Sequence, residues 1–247
     1  MWQEAPVPPM RAGDVHIWLA RLDPAESSVL QLQALLSDNE LQRAARFRFE
    51  RDRRRFVAAR GLLRSLLGRY LKRQPQAIRF LYQPAGKPYL AFEENEPKLQ
   101  FNVSHSNEMA LIGLALEHRI GVDIEFKNPD RATLDVARHF FAPEEVSALD
   151  QMPVEAKCDG FFAVWTRKEA YIKGRGEGIA LGLDTFAVTA AAADPRLLRS
   201  SHGADEARRW RFWNIDAGTA YAAAITVEGA GDRHLSIWNE IPGDSWQ

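Results

Sequence analysis

One layout occurs twice in this sequence. Lys98–Leu116 (KLQFNVSHSNEMALIGLAL) and Arg209–Val227 (RWRFWNIDAGTAYAAAITV) each combine an alternating strand, a polar turn and a second strand of small apolar residues. Each follows helix and strand material, and no short period links them, which excludes a solenoid. In a chain of 247 residues the duplication predicts an α+β fold of two similar halves, 1–118 and 119–247, joined near Glu117–Ile120. A cleft between two such halves is a common place for a ligand.

The rest of the chain fills in around that frame. Strands are predicted over Asp14–Arg21, Ile78–Tyr82, Leu99–Val103, Met109–Leu116, Gly121–Phe126, Thr185–Ala190, Trp210–Ile215, Tyr221–Val227 and Leu235–Trp238. Helices are predicted over Leu30–Leu36, Asn39–Lys72, Phe140–Asp150 and Asp159–Lys173, the last ended by Gly174. The start, Met1–Arg11, holds three prolines and no apolar run, so it does not read as a signal peptide. No apolar stretch approaches the roughly 20 residues of a membrane helix. One cysteine, Cys158, excludes an intramolecular disulfide framework and fits a reducing compartment. A soluble, cytoplasmic monomer is expected.

Lys and Arg total 32 and Asp and Glu 33, a formal charge of −1 that conceals a segregation. Leu41–Arg73 holds twelve basic residues and two acids, so it carries +10 and the remainder −11. Phe56, Leu63, Leu66, Leu67 and Tyr70 give this stretch an apolar helical face, with Ser37–Glu40 as its N-terminal cap. The arginines read either as a solvated face or as an anion site, since guanidinium forks match phosphate oxygens. Both a nucleic acid and a phosphorylated small molecule satisfy the second reading.

Four short stretches could carry chemistry. In Gly121-Val122-Asp123-Ile124-Glu125, strand period places Asp123 and Glu125 on one face, where two carboxylates invite a hard divalent cation. The alternative is an exposed strand with solvated acids. In Trp165–Lys173 (WTRKEAYIK), Glu169 and Lys173 are one helical turn apart among large apolar residues, as a surface ion pair or as a third metal ligand beside a phosphate-facing lysine. Phe101–Ser106 (FNVSHS) sets His105 in a turn between hydroxyls, and Ser104 lacks the elbow of a hydrolase nucleophile. Gly86-Lys87-Pro88 is a turn whose backbone and ammonium could meet a phosphate or an adenine ring; it is not a Walker loop.

Taken in order, GKP, FNVSHS, GVDIE and WTRKEAYIK followed by a glycine-rich turn are very similar to the Sfp-type 4′-phosphopantetheinyl transferases, a resemblance that runs from about Asp14 to Val227. It implies two similar α+β halves related by pseudo-two-fold symmetry, with the active site between them. It implies transfer of phosphopantetheine from coenzyme A to a serine of an apo acyl or peptidyl carrier protein, with release of 3′,5′-ADP. By motif match, Asp123, Glu125 and Glu169 would bind Mg²⁺, with Mn²⁺ as a substitute. Lys173 would neutralise or protonate the leaving phosphate, and Asp123 and Glu169 would share in catalysis with it. His105 would contact coenzyme A phosphates, and Gly86, Lys87, Pro88 and Ser104 would surround its adenine and 3′-phosphate. Arg43, Arg46 and Arg55 are the basic-helix residues assigned to the 3′-phosphate. The segment after GVDIE, Lys127–Asp150 with Arg131, Arg138, His139, Phe140 and Phe141, would meet the carrier.

Two other readings compete. A nucleic-acid-binding protein would use the 41–73 helix, although nothing resembles a nucleic-acid motif and the −11 remainder would repel a polyanion. A metal nuclease would need its lysine on the same strand as its acids, whereas Lys173 lies on a separate helix with Glu169. Neither a nucleic acid nor a membrane is expected as a partner.

Overall fold

Asp14–Arg21 forms strand β1, and every residue from Val15 to Ala20 is buried because both faces of the strand are covered. The computed structural model describes residues 7–91, 98–191, 193–229 and 231–239; positions 1–6 of the proline-containing start lie outside them. After β1 come α1 (Glu26–Gln33), α2 (Asp38–Ala44), α3 (Glu50–Leu71) and a short hairpin of β2 (Phe80–Tyr82) and β3 (Pro88–Leu90). The hairpin of β4 (Leu99–Ser106) and β5 (Met109–Leu116) completes this half. Strand β6 (Ile120–Phe126) opens the next, followed by α4 (Leu134–Phe140), α5 (Pro143–Asp150) and α6 (Val154–Arg175). Then come β7 (Phe186–Val188), β8 (Leu197–Ser200), α7 (Glu206–Arg209), the hairpin of β9 (Trp210–Asn214) and β10 (Tyr221–Glu228), and β11 (His234–Trp238).

The two larger sheets have the orders β11-β1-β5-β4 and β6-β10-β9. Within them β1-β5-β4 and β6-β10-β9 are the same antiparallel arrangement, and α3 and α6, each of 22 residues, hold the same place in the two element orders. The duplicated sequence layout is therefore a duplicated strand order. Strand β11 departs from it: it runs parallel to β1 on the other half's sheet, where Trp238 stacks on Trp18 at 4.6 Å.

Packing follows from strands with two apolar faces. One face of the first sheet (Trp18, Phe101, Ile112, Leu114) meets Val57, Leu63, Leu66 and Leu67 of α3. Its other face (Val15, Ile17, Leu19, Leu111) meets Val122, Ile124, Ile225 and Val227 of the second sheet. Phe161, Phe162, Tyr171 and Ile172 of α6 form a third cluster with Phe186, Trp210 and Phe212. The order of layers is helix, sheet, sheet, helix. Helix α6 lies so close to β6 that a Cβ on Gly121 would stand 1.9 Å from the Ala170 carbonyl oxygen, which only glycine avoids. Among the described residues no helix is long and apolar enough to cross a membrane.

Several elements differ from expectation. The single helix Asn39–Lys72 is two helices, α2 and α3, turned at Phe47–Phe49. In one straight helix Glu40 and Arg60 would be about 30 Å apart. Folded back, Glu40 is buried and its carboxylate accepts from Arg60 Nε (2.5 Å) and Arg64 Nε (2.6 Å). Phe47 packs on Phe56, with ring centroids 5.2 Å apart, across the turn. Helix α4 was not predicted: it is a short segment started by the Thr133 hydroxyl, which accepts from Val136 N–H. Helix α6 ends at Gly176, with φ 79°, rather than at Gly174.

In α6, Arg167 and Lys168 are fully buried. Lys168 pairs with Glu145 at 2.7 Å and donates to the Phe186 carbonyl, while Glu145 accepts from the N–H groups of Ala142 and Val188. Removing one partner strands a buried charge, so Lys168→Met should lower unfolding free energy in urea at pH 7 by about 3–5 kcal/mol. A loss under 1 kcal/mol would mean the pair is replaceable.

Candidate active site

The site forms where an edge of each sheet meets the other. Strand β4 borders the first sheet and β6 the second, and no backbone ladder joins them. Instead the period-two polar residues of β4 reach across. Asn102 Oδ1 accepts from Val122 N–H (2.8 Å), Ser104 Oγ donates to Asp123 Oδ1 (2.8 Å), and Ser106 Oγ donates to Glu125 Oε2 (2.9 Å) while accepting from Phe126 N–H (3.0 Å). Val122 and Ile124 point the other way into the inter-sheet core, as the strand period predicts.

Helix α6 closes the site. Lys173 Nζ donates to Asp123 Oδ1 at 2.5 Å and to Ser104 Oγ at 3.0 Å. Asp123 is buried, and its second oxygen, Oδ2, has no hydrogen-bond partner among the described residues. Burial pushes the Asp123 carboxyl above its ordinary value, against the pull of Lys173, Ser104 and the Ile124 N–H. Glu125 is raised by burial and then by Asp123; Glu169 is raised by burial and by Asp123, with Lys173 pulling it down. Three mutually repelling carboxylates thus share one neighbourhood with one lysine. They do not form a closed cluster: among the described residues no three acidic, imidazole or thiol groups stand together as a ready metal site. The donors are nonetheless all oxygen, and one is buried and unpartnered, which suits a hard divalent cation that fills its shell with water and phosphate oxygens.

His105 projects on the open side of β4. Desolvation by its surroundings lowers its basicity, and Lys173 and Arg43 lower it further. Arg43 and Arg46, with Asn39, Gln42 and Phe47, line an open pocket of about 570 Å³ at the end of α2. Arg43 lies over the Phe56 ring at 5.3 Å.

Arg55 is turned elsewhere. It forms a two-pronged pair with Asp23 (Nε–Oδ1 2.8 Å, Nη2–Oδ2 2.6 Å), a partner 32 residues away that helix periodicity does not reveal. Arg51, Arg53, Arg54, Arg60 and Arg64 likewise meet acids, so the 41–73 segment is no free basic stripe for nucleic acid.

Gly86, at φ 84° with open space where a Cβ would be, and Pro88 shape the exposed turn before β3. The Lys87 ammonium points inward. It donates to the carbonyls of Lys173 (2.5 Å), Ile120 (3.1 Å) and Gly174 (3.3 Å), tying the end of α6 to β6, and burial brings it down to about 8. Asn102 and Ser106 are functional candidates that motif reasoning left unassigned; their signal was the polar alternation Asn102-Ser104-Ser106.

Residues 119–226 match the family described as the 4′-phosphopantetheinyl transferase superfamily, and residues 20–116 match 4′-phosphopantetheinyl transferase, N-terminal. The chain is 38% identical to the 4′-phosphopantetheinyl transferase HetI of Nostoc sp. over 92% of its own length and 94% of that relative. It is 41% identical to a putative 4′-phosphopantetheinyl transferase of Synechocystis sp. over 68% of each chain. It is 31% identical to the 4′-phosphopantetheinyl transferase Sfp of Bacillus subtilis, over 64% of this chain and 68% of that one.

The raised carboxylates set a sign. A carboxyl whose folded pKa exceeds its unfolded value favours folding less as pH rises through the interval between the two. Glu169→Gln should therefore melt at a higher temperature than wild type at pH 7 without added metal, and the gap should close below pH 4.5, the ordinary glutamate value. A variant less stable than wild type at pH 7 would refute the repulsion.

Proposed function

This chain belongs to the 4′-phosphopantetheinyl transferase superfamily, and from that premise we propose a metal-assisted phosphopantetheine transfer at the β4–β6–α6 junction. The enzyme moves the phosphopantetheine arm of coenzyme A to a carrier protein. In the proposed step the carrier serine oxygen bonds to the pantetheine-side phosphorus. The pyrophosphate P–O bond breaks, and 3′,5′-ADP leaves. The observation that carries this reading is the contact of Lys173 and Ser104 with Asp123, with Glu125 and Glu169 beside them.

Phosphoryl-type transfer depends on charge neutralisation and alignment more than on covalent help. Asp123, Glu125 and Glu169 would hold the divalent cation, Mg²⁺ or Mn²⁺, which when bound neutralises pyrophosphate charge. Lys173, which now neutralises Asp123, would supply positive charge to the leaving phosphate. Glu169, raised by burial, is the carboxylate to take the serine proton, directly or through a water. His105, Arg43 and Arg46 would meet the coenzyme A phosphates, with Gly86 and Pro88 nearer the adenine end, while Ser104 stays with Asp123 and Lys173, and Lys87 with its carbonyls. The two halves, divided at 118/119, would be related by a pseudo-two-fold axis with this junction between them.

Incubation with coenzyme A, Mg²⁺ and a panel of apo carrier proteins should add one phosphopantetheine mass to a carrier serine. Asp123→Ala and Glu169→Gln should each lower turnover by about 100-fold or more while the protein stays folded. Wild-type turnover in either variant would sink the metal assignment.

The carrier surface is proposed on α4. Phe140 is 39% exposed and packs edge-on against Trp165, whereas Phe141 is buried and drops out of the surface expected from the sequence. Arg138 is exposed and pairs with Asp135, one turn earlier in α4. Arg138→Glu should raise the KM for the carrier several-fold and leave that for coenzyme A unchanged; equal changes in both would count against it.

A further inference from the structure

We infer that Ser106 is a positioning residue that holds Glu125 for the cation, and that it acts from the opposite half of the molecule. The inference rests on the metal reading above. An edge strand presents a row of unsatisfied backbone groups. On the side of β6 that faces β4, the N–H groups of Val122 and Phe126 find Asn102 Oδ1 and Ser106 Oγ. Both partners are side chains, and Ser106, with Ser104 beside it, also hydrogen-bonds a carboxylate of β6.

Ser106 is where the two tasks coincide. Its one hydroxyl proton goes to Glu125 Oε2 at 2.9 Å, and its lone pair takes Phe126 N–H at 3.0 Å. The acceptor bond fixes the oxygen on the β6 backbone, and the donor bond then fixes one Glu125 oxygen relative to that backbone. The other Glu125 oxygen stays available to a ligand. Without the hydroxyl, Glu125 would turn away from Asp123, which repels it. Hydrogen-bond partners of metal-binding carboxylates typically change metal affinity by about 10–100-fold when removed.

The test titrates Mn²⁺ alone into the purified full-length protein, following loss of the free-ion electron paramagnetic resonance signal. It is paired with thermal melting and with the Mg²⁺ dependence of transfer. Ser106→Ala should weaken Mn²⁺ binding at least 10-fold and raise the Mg²⁺ concentration for half-maximal rate by a similar factor, with kcat at saturating Mg²⁺ nearly retained. Ser106→Thr, which keeps the hydroxyl, should restore binding to within about 3-fold of wild type. Wild-type Mn²⁺ affinity in a folded Ser106→Ala protein would overturn the inference, as would a lowered melting temperature with unchanged metal dependence. Should Ser106→Ala fail to fold, Ser106→Cys, of nearly the same shape but a weak donor, carries the same comparison. If wild type itself binds no Mn²⁺ while Asp123→Ala keeps full activity, the metal reading falls first and the inference with it.

Discussion

Everything at the site depends on two sheet edges meeting without a ladder. Had β4 and β6 paired backbone to backbone, their sheets would be one continuous surface, and Asp123 and Glu125 would flank a neighbouring strand. Side-chain bridges from Asn102, Ser104 and Ser106 keep the strands apart by the length of a side chain while the inner faces of the sheets stack on each other. The seam that results is polar at its rim and apolar beneath. Lys173 from α6 and Lys87 from the β2–β3 hairpin both reach into it, one to a carboxylate and the other to carbonyls.

The charge segregation takes on a different meaning in this frame. A +10 segment appears at first to be an advertisement for a polyanion. Folding converts much of it into internal pairs: Arg60 and Arg64 with Glu40, Arg55 with Asp23, Arg54 with Glu26. Burial works against the Glu40 carboxyl, yet Arg64, the Ser37 N–H and Arg60 hold it below its ordinary value. The arginines that remain toward the open pocket are Arg43, on the short helix α2, and Arg46, in the turn that follows it. Helix α6 divides its charges in the same manner. Arg167 and Lys168 face inward as anchors, and Glu169 and Lys173 face the seam.

What was legible in the sequence was local. Strand β1 spans the predicted Asp14–Arg21, β5 the predicted Met109–Leu116, and the alternation in GVDIE separates acids from core as expected. These follow from period and turn chemistry, which act over a few residues. What was not legible depended on partners distant in sequence. The turn between α2 and α3 has no proline or glycine to mark it; it exists because Glu40 finds Arg60 and Arg64. Lys87 reads as a phosphate-facing ammonium until three carbonyls from β6 and α6 surround it. Ser106 reads as a turn residue until Glu125 is beside it. Long side chains have long reach, and a pattern along one strand does not say what lies across from it.

Strand β11 carries a consequence for how such a chain is made. Its backbone pairs with β1 in parallel, Asp14 beside His234 and Trp18 beside Trp238. The β1 edge of the first sheet therefore stays open while the whole second half is being synthesised. Pairings between such remote segments raise contact order and slow folding. Until β11 arrives, the stretch Val15–Leu19 offers a bare apolar edge to other chains. The vulnerable interval is set by translation time, and a ribosome-bound nascent chain that stops short of His234 is the species most exposed to aggregation.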